Sequence, residues 1–126
     1  MQFMLAFKET PADFAARESD TQSGPYWGAW TAYIGAIAQA GIIVSGNALL
    51  PPATGTVVRL RDGTRSLTDL GTVQDGPYAD SKEQLAGYFI IEVPNLDAAL
   101  EWAARSPCAA TGSTEVRPVM PPMKAP

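Results

Sequence analysis

The 126 residues leave room for one core and not two, and with 46% apolar and 17% charged residues the chain suits a packed globule rather than a disordered segment. A net charge of −4 supplies no basic stripe for nucleic acid; the nearest approach, Arg59, Arg61 and Arg65, is interleaved with Asp62 and Asp69 around a turn. Histidine is absent and Cys108 stands alone, which excludes Ser-His-Asp and Cys-His arrangements, imidazole or cysteine metal sites and an internal disulfide.

Gln2 to Lys8 predicts a first strand with Phe3, Leu5 and Phe7 on one face and Met4 and Ala6 on the other. The apolar opening is too short for a signal peptide and has no basic region before it, so a cytoplasmic location is the default expectation. Glu9 to Asp20 is polar and acidic and reads as a loop or irregular helix. A long helix follows, with Ser23 as N-cap, Pro25 in its first turn and Gly41 as its stop. Trp27, Trp30, Ile34, Ile37 and Ala38 form its apolar stripe, and Tyr26, Tyr33 and Gln39 fall off it.

No charged side chain occurs from Thr21 to Val58. Trp30 to Leu50 nevertheless argues against a membrane span, because it holds Gln39, Asn47 and a glycine and serine cluster and lacks basic anchors. An uncharged helix surface on a small protein points instead to a second subunit. Ile42 to Val44 predicts a second strand. Thr56 to Arg61, the Asp62-Gly63 turn and Thr64 to Thr68 predict a β-hairpin. Asp75 to Tyr78 reads as a further turn, and Gly87 to Val93 as a strand with Phe89, Ile91 and Val93 on one face and Tyr88, Ile90 and Glu92 on the other. Asn95 or Asp97 caps a helix through Leu96, Ala99, Leu100 and Ala103 that Pro107 stops; Ser113 to Val119 is the last strand.

The order is that of an α+β, ferredoxin-like βαββαβ domain with an antiparallel sheet and an inserted β-hairpin. Residues 1–120 make one domain and 121–126 a loose tail. Helices cover only one face of such a sheet. Met4, Tyr88 and Ile90 make the other face apolar too, so a homodimer with the two sheets facing each other is the economical arrangement.

The run Asp75-Gly76-Pro77-Tyr78-Ala79-Asp80-Ser81-Lys82-Glu83-Gln84-Leu85-Ala86-Gly87-Tyr88 resembles the signature of the YCII-related proteins of the DGPF group. Met1 to Leu5, Asp97 to Ala103 and Glu115 to Val119 resemble that family's opening strand, second helix and closing strand. The resemblance implies a dimeric α+β barrel of ferredoxin-like subunits. It also implies a group mostly without established activity, often encoded beside alternative sigma factors, with lactone-processing or dehydrochlorinating enzymes among the wider relatives. Those enzymes use a His-Asp pair. This chain has no histidine, and Val44-Ser45-Gly46-Asn47 after the first helix carries no carboxylate.

Candidate chemistry rests on few residues. Glu92 shares a strand face with Tyr88, so a partner subunit would desolvate it and favour a general base; alternatively it reaches water or pairs with Lys8 or Arg117. Asp75 fits a ligand rim or a turn that bonds its own backbone. Trp27, Trp30, Tyr33 and Tyr88 fit an apolar pocket or plain packing. Lys82 and Glu83 fit a pocket edge or a solvated surface. Cys108, with no basic neighbour, reads as unreactive. The reading is a homodimeric small-molecule-binding or accessory protein without cofactor, metal, nucleic acid or membrane. Two alternatives stand beside it: a lyase or isomerase acting on a small organic acid or lactone, with Glu92 or Asp75 as base and Tyr88 or Tyr33 as acid, and a regulatory partner of a sigma factor.

Overall fold

A computed structural model describes residues 1–59, 72–75 and 83–123. Strand β1 (Gln2–Glu9) continues the alternation of its sequence one step beyond Lys8, so Phe3, Leu5, Phe7 and also Glu9 are buried. The segment read as a loop or irregular helix contains a regular helix, α1 (Pro11–Glu18). Thr10 and Asp13 form a capping box: Asp13 N–H donates to Thr10 Oγ1 at 3.3 Å and Thr10 N–H to Asp13 Oδ2 at 3.0 Å.

Helix α2 (Ser23–Ala40) starts without the expected Ser23 cap. Main-chain bonds do that work as the chain rolls out of α1: Ser23 N–H donates to Ser19 O and Tyr26 N–H to Gln22 O, each at 3.0 Å. Gly41 ends α2 at φ +70°, where a β-carbon would be strained. The buried stripe is Trp30, Tyr33 and Ile37, whereas Trp27 (42% exposed) and Ile34 (43%) are only partly covered at its edge. An uncharged helix has no polar face to fix its phase, and the expected stripe was rotated by part of a turn.

Four strands make an antiparallel sheet in the order β2 (Ile43–Ala48), β5 (Gln84–Glu92), β1, β6 (Ser113–Pro118). That is the ferredoxin-like arrangement anticipated above. Register sets Phe3 opposite Ile91 and Leu5 opposite both Phe89 and Val116. Helix α3 (Leu96–Ala104), capped by Asn95 Oδ1 accepting from Ala98 N–H at 2.9 Å, brings Ala99 and Ala103 to the same face. The core is one layer between the sheet and α2 with α3. Its aromatic centre is Phe7, whose ring meets Trp30 edge-on at 4.9 Å and Phe89 at 5.3 Å.

A two-stranded sheet pairs β3 (Thr56–Arg59) with β4 (Thr72–Asp75), Thr56 opposite Asp75. The described partner of Thr56–Arg59 is thus Thr72–Asp75. The Asp62-Gly63 turn, Thr64–Thr68, and residues 76–82 of the signature lie outside the described residues.

Candidate ligand-binding site

The residues that organise the site sit where β1 hands over to α1. Glu9 is 1% exposed, and a bare carboxylate there would be costly. Arg17, in the last turn of α1, reaches it with Nη2 at 3.0 Å, and its side chain is 8% exposed. The Tyr26 hydroxyl lies 2.6 and 2.7 Å from the two Glu9 oxygens and donates to that carboxylate. Arg17 Nε donates to the Tyr26 oxygen at 3.0 Å. The same guanidinium donates to Leu49 O at 2.6 Å and Ala86 O at 3.2 Å, tying both helices to the β2–β5 edge. Its planar group also lies over the rings of Phe14 and Trp27, 4.8 and 5.5 Å from their centres. Burial, then the Glu9 bond, pushes the Tyr26 phenol well above the ordinary range, so the hydroxyl keeps its proton.

Beside this cluster lies a cavity of about 70 Å³ between α2 and the β2–β5 edge. Trp27, Trp30 and Ile34 of α2 form one wall, and Phe7, Ala48 and Phe89 face them, with Arg17 and Tyr26 also in the lining. The surface is almost wholly apolar. Among the described residues, the indole Nε1 of Trp30 is buried without a hydrogen-bond partner, and Trp30 lines the cavity. A backbone detail makes the wall possible: a β-carbon on Gly46 would stand 2.1 Å from Phe89 Cδ1 and 2.9 Å from Tyr88 O. Glycine at 46 thus lets the Phe89 ring lie flush against β2.

The residues singled out from sequence are spread over the molecule. Trp30 and Tyr88 line the cavity. Tyr88 Oη accepts from Asn47 Nδ2 at 3.1 Å. Tyr33 is buried in the core, its phenol raised chiefly by burial, and it donates to Trp102 O at 2.8 Å. The Glu92 side chain is 58% exposed and lies 3.3 Å from the Met1 amino group, while Lys8 and Arg117 both serve Glu115 instead. Glu83 is exposed and accepts from Ser113 Oγ at 3.2 Å. Asp75 closes β4, with only its backbone described, and Lys82 lies outside the described residues. Cys108 is buried among Ser106, Thr114 and Ser113 O, and burial raises its thiol. Sequence reasoning missed Glu9, Arg17 and Tyr26. The period-two run Phe3, Leu5, Phe7 carried one step further points at Glu9, and Thr10-Pro11-Ala12-Asp13 marks the helix that delivers Arg17.

Among the described residues no helix is long and apolar enough to cross a membrane, and no group of His, Cys, Asp or Glu could hold a metal ion. The sequence profile of the YCII-related domain matches residues 1–123. An uncharacterised protein of Rhizobium meliloti (strain 1021) is 49% identical over 49 residues, a match spanning 37% of this chain and 40% of that protein. In fold the chain is similar to the 5-chloro-2-hydroxyhydroquinone dehydrochlorinase of Burkholderia phenoliruptrix, solved in complex with 2,5-dihydroxybenzoquinone. That likeness has a TM-score of 0.53 at 17% identity over 95% of this chain and 94% of the other.

Proposed function

The chain belongs to the YCII-related family, and from that premise we propose that it is a small-molecule-binding protein whose ligand enters the cavity between α2 and the β2–β5 edge. The observation that carries this reading is the aromatic, almost wholly apolar lining of the cavity, in which Asn47 and Tyr88 are neutral polar residues and Arg17 is already paired with Glu9. Apolar concavities with few polar groups are where ligands bind. The binding of a single-ring carbonyl compound by a dehydrochlorinase of similar fold fits the same scale of ligand.

The test is a nuclear magnetic resonance titration of the chain with toluene and benzaldehyde. Saturable shifts are expected, and Ala48→Phe, a change at an exposed position of the wall, should weaken them at least about tenfold, roughly 1.4 kcal/mol. No saturable shift with either probe would overturn the reading.

The functional unit is a homodimer, supported by the outer sheet face. Met4 and Ile90, cross-strand partners and only half-buried, lie there on the side of β1 and β5 opposite the core residues Leu5, Phe89 and Ile91. Light scattering at micromolar concentration should show twice 13.3 kDa; a persistent single-chain species would refute it.

An enzymatic reading, a lyase or isomerase on a small organic acid or lactone, draws on the dehydrochlorinase likeness. It takes Glu92 or Asp75 as base and Tyr88 or Tyr33 as acid. Within one chain Glu92 and Tyr88 stand four residues apart along β5, about 13 Å, so they cannot serve one reacting atom together. Turnover of a lactone panel that Glu92→Gln abolishes would support this reading; turnover unchanged in that variant would remove Glu92 from it.

A further inference from the structure

The walls and the mouth of the cavity set the class of ligand, an inference that rests on the binding reading above. Among the described residues that line it, Arg17 is the charged one, and Glu9 already matches that charge at 3.0 Å. Four of the Arg17 N–H groups are engaged within the chain, by Tyr26, Leu49 O, Glu9 and Ala86 O. Tyr26 is neutral, and its proton is directed at Glu9. Asn47 and Tyr88, also neutral, bond to each other at 3.1 Å. A carboxylate, phosphate or ammonium group entering here would shed its water against Phe7, Trp30 and Phe89 and meet no unmatched charge of opposite sign.

The mouth repeats the pattern. Trp27, Ile34, Asn47 and Ala48 are the exposed members of the lining, so they mark where the cavity meets solvent. They belong to α2 and β2, and no charged side chain occurs from Thr21 to Val58. Size adds a further limit. A volume of about 70 Å³ is roughly half the ~150 Å³ of an engineered cavity that takes up benzene, so about three heavy atoms fit and the rest of a larger molecule stays outside. We propose that the cavity takes the short, uncharged hydrocarbon end of an amphipathic molecule whose polar end stays in water beyond Trp27 and Asn47, and that a charge on the entering end excludes the molecule.

Three six-carbon probes separate the alternatives on the wild-type chain: hexan-1-ol, hexanoate and adipate, which carry no charge, one charged end and two. Calorimetry at neutral pH should show hexanoate binding within about threefold of hexan-1-ol, because its carboxylate remains outside. Its affinity should change by less than about twofold between low and high salt, since no protein charge holds it. Adipate has no uncharged end to insert and should bind at least about thirtyfold more weakly than hexanoate, the loss of about three buried carbons. Xenon under pressure, which enters dry apolar cavities, should shift the Ile34 methyl resonances, and hexan-1-ol should displace it. Ile34→Val assigns those resonances. Adipate matching hexanoate, hexanoate falling more than about tenfold below hexan-1-ol, or hexan-1-ol failing to displace xenon would overturn this inference while leaving a binding cavity in place. Failure of xenon, hexan-1-ol and hexanoate alike to bind would overturn the binding reading itself, and this inference with it.

Discussion

Glu9 and Arg17 make opposite demands on the interior, since each is tolerable there only because the other is present. Glu9→Gln keeps the shape and removes the charge, which leaves a buried guanidinium uncompensated. A loss of about 3–5 kcal/mol is expected, read from the midpoint of urea unfolding. Tyr26→Phe removes one donor while Arg17 still holds the carboxylate, so the loss should be smaller, about 1–3 kcal/mol. A Glu9→Gln protein as stable as the wild type would show that the pair is dispensable. The phenols give a second expectation. Tyr26 and Tyr33 are both pushed up, first by burial, then by Glu9 for Tyr26 and by Cys108 for Tyr33. A raised folded-state value means that the folded chain keeps a proton the unfolded chain gives up. Their stabilisation is therefore complete below the ordinary value of about 10 and is lost as the pH climbs through the raised one. Ultraviolet titration should show these two of the four tyrosines ionising only as the chain unfolds in alkali. Ionisation of all four in one step near the ordinary value would contradict this.

The strands and helices differ in how far local sequence determines them. β1, β5 and β6 were readable because alternation of period two survives in Phe3-Leu5-Phe7 and Phe89-Ile91-Val93, and α3 because Asn95 and Pro107 bracket it. The phase of α2 was not readable, since a helix apolar on nearly every side is oriented by what packs on it. The pairing of β3 with Thr72–Asp75 was not readable, because strand pairing is decided by contacts that local sequence does not carry. The candidate site was the least legible part. Glu9, Arg17 and Tyr26 look like ordinary surface residues until β1, α1 and α2 converge. Gly46 shows the reverse case, a residue that looks like loop filler and is demanded by packing. Gly46→Ala would drive its methyl into the Phe89 ring and Tyr88 O, an overpacking cost of about 1–3 kcal/mol, and should close the cavity wall. Thermal unfolding checks the first effect and benzaldehyde affinity the second; a variant unchanged in both would show that Phe89 gives way freely.

At the scale of the molecule the chain is an open-faced layer, with helices packed on one side of the sheet and the half-buried Met4 and Ile90 on the other. The outer face also carries Glu115, whose carboxyl is held below the ordinary range first by Arg117 and then by Lys8. These pairs are solvent-exposed and salt-screened, so they bias what approaches the face more than they hold the fold. The single guanidinium of Arg17 does the opposite. It gathers positions 9, 17, 26, 49 and 86, and the last two come together only after β2 has found β5. Such a clasp is expected to close late, after the folding barrier has been crossed. Arg17→Met should accordingly leave the refolding rate nearly as it is and speed unfolding by the full loss in stability, a φ-value near zero. The domain would then form as readily as before and simply fail to stay formed, so Arg17 governs the lifetime of the native state rather than the route to it.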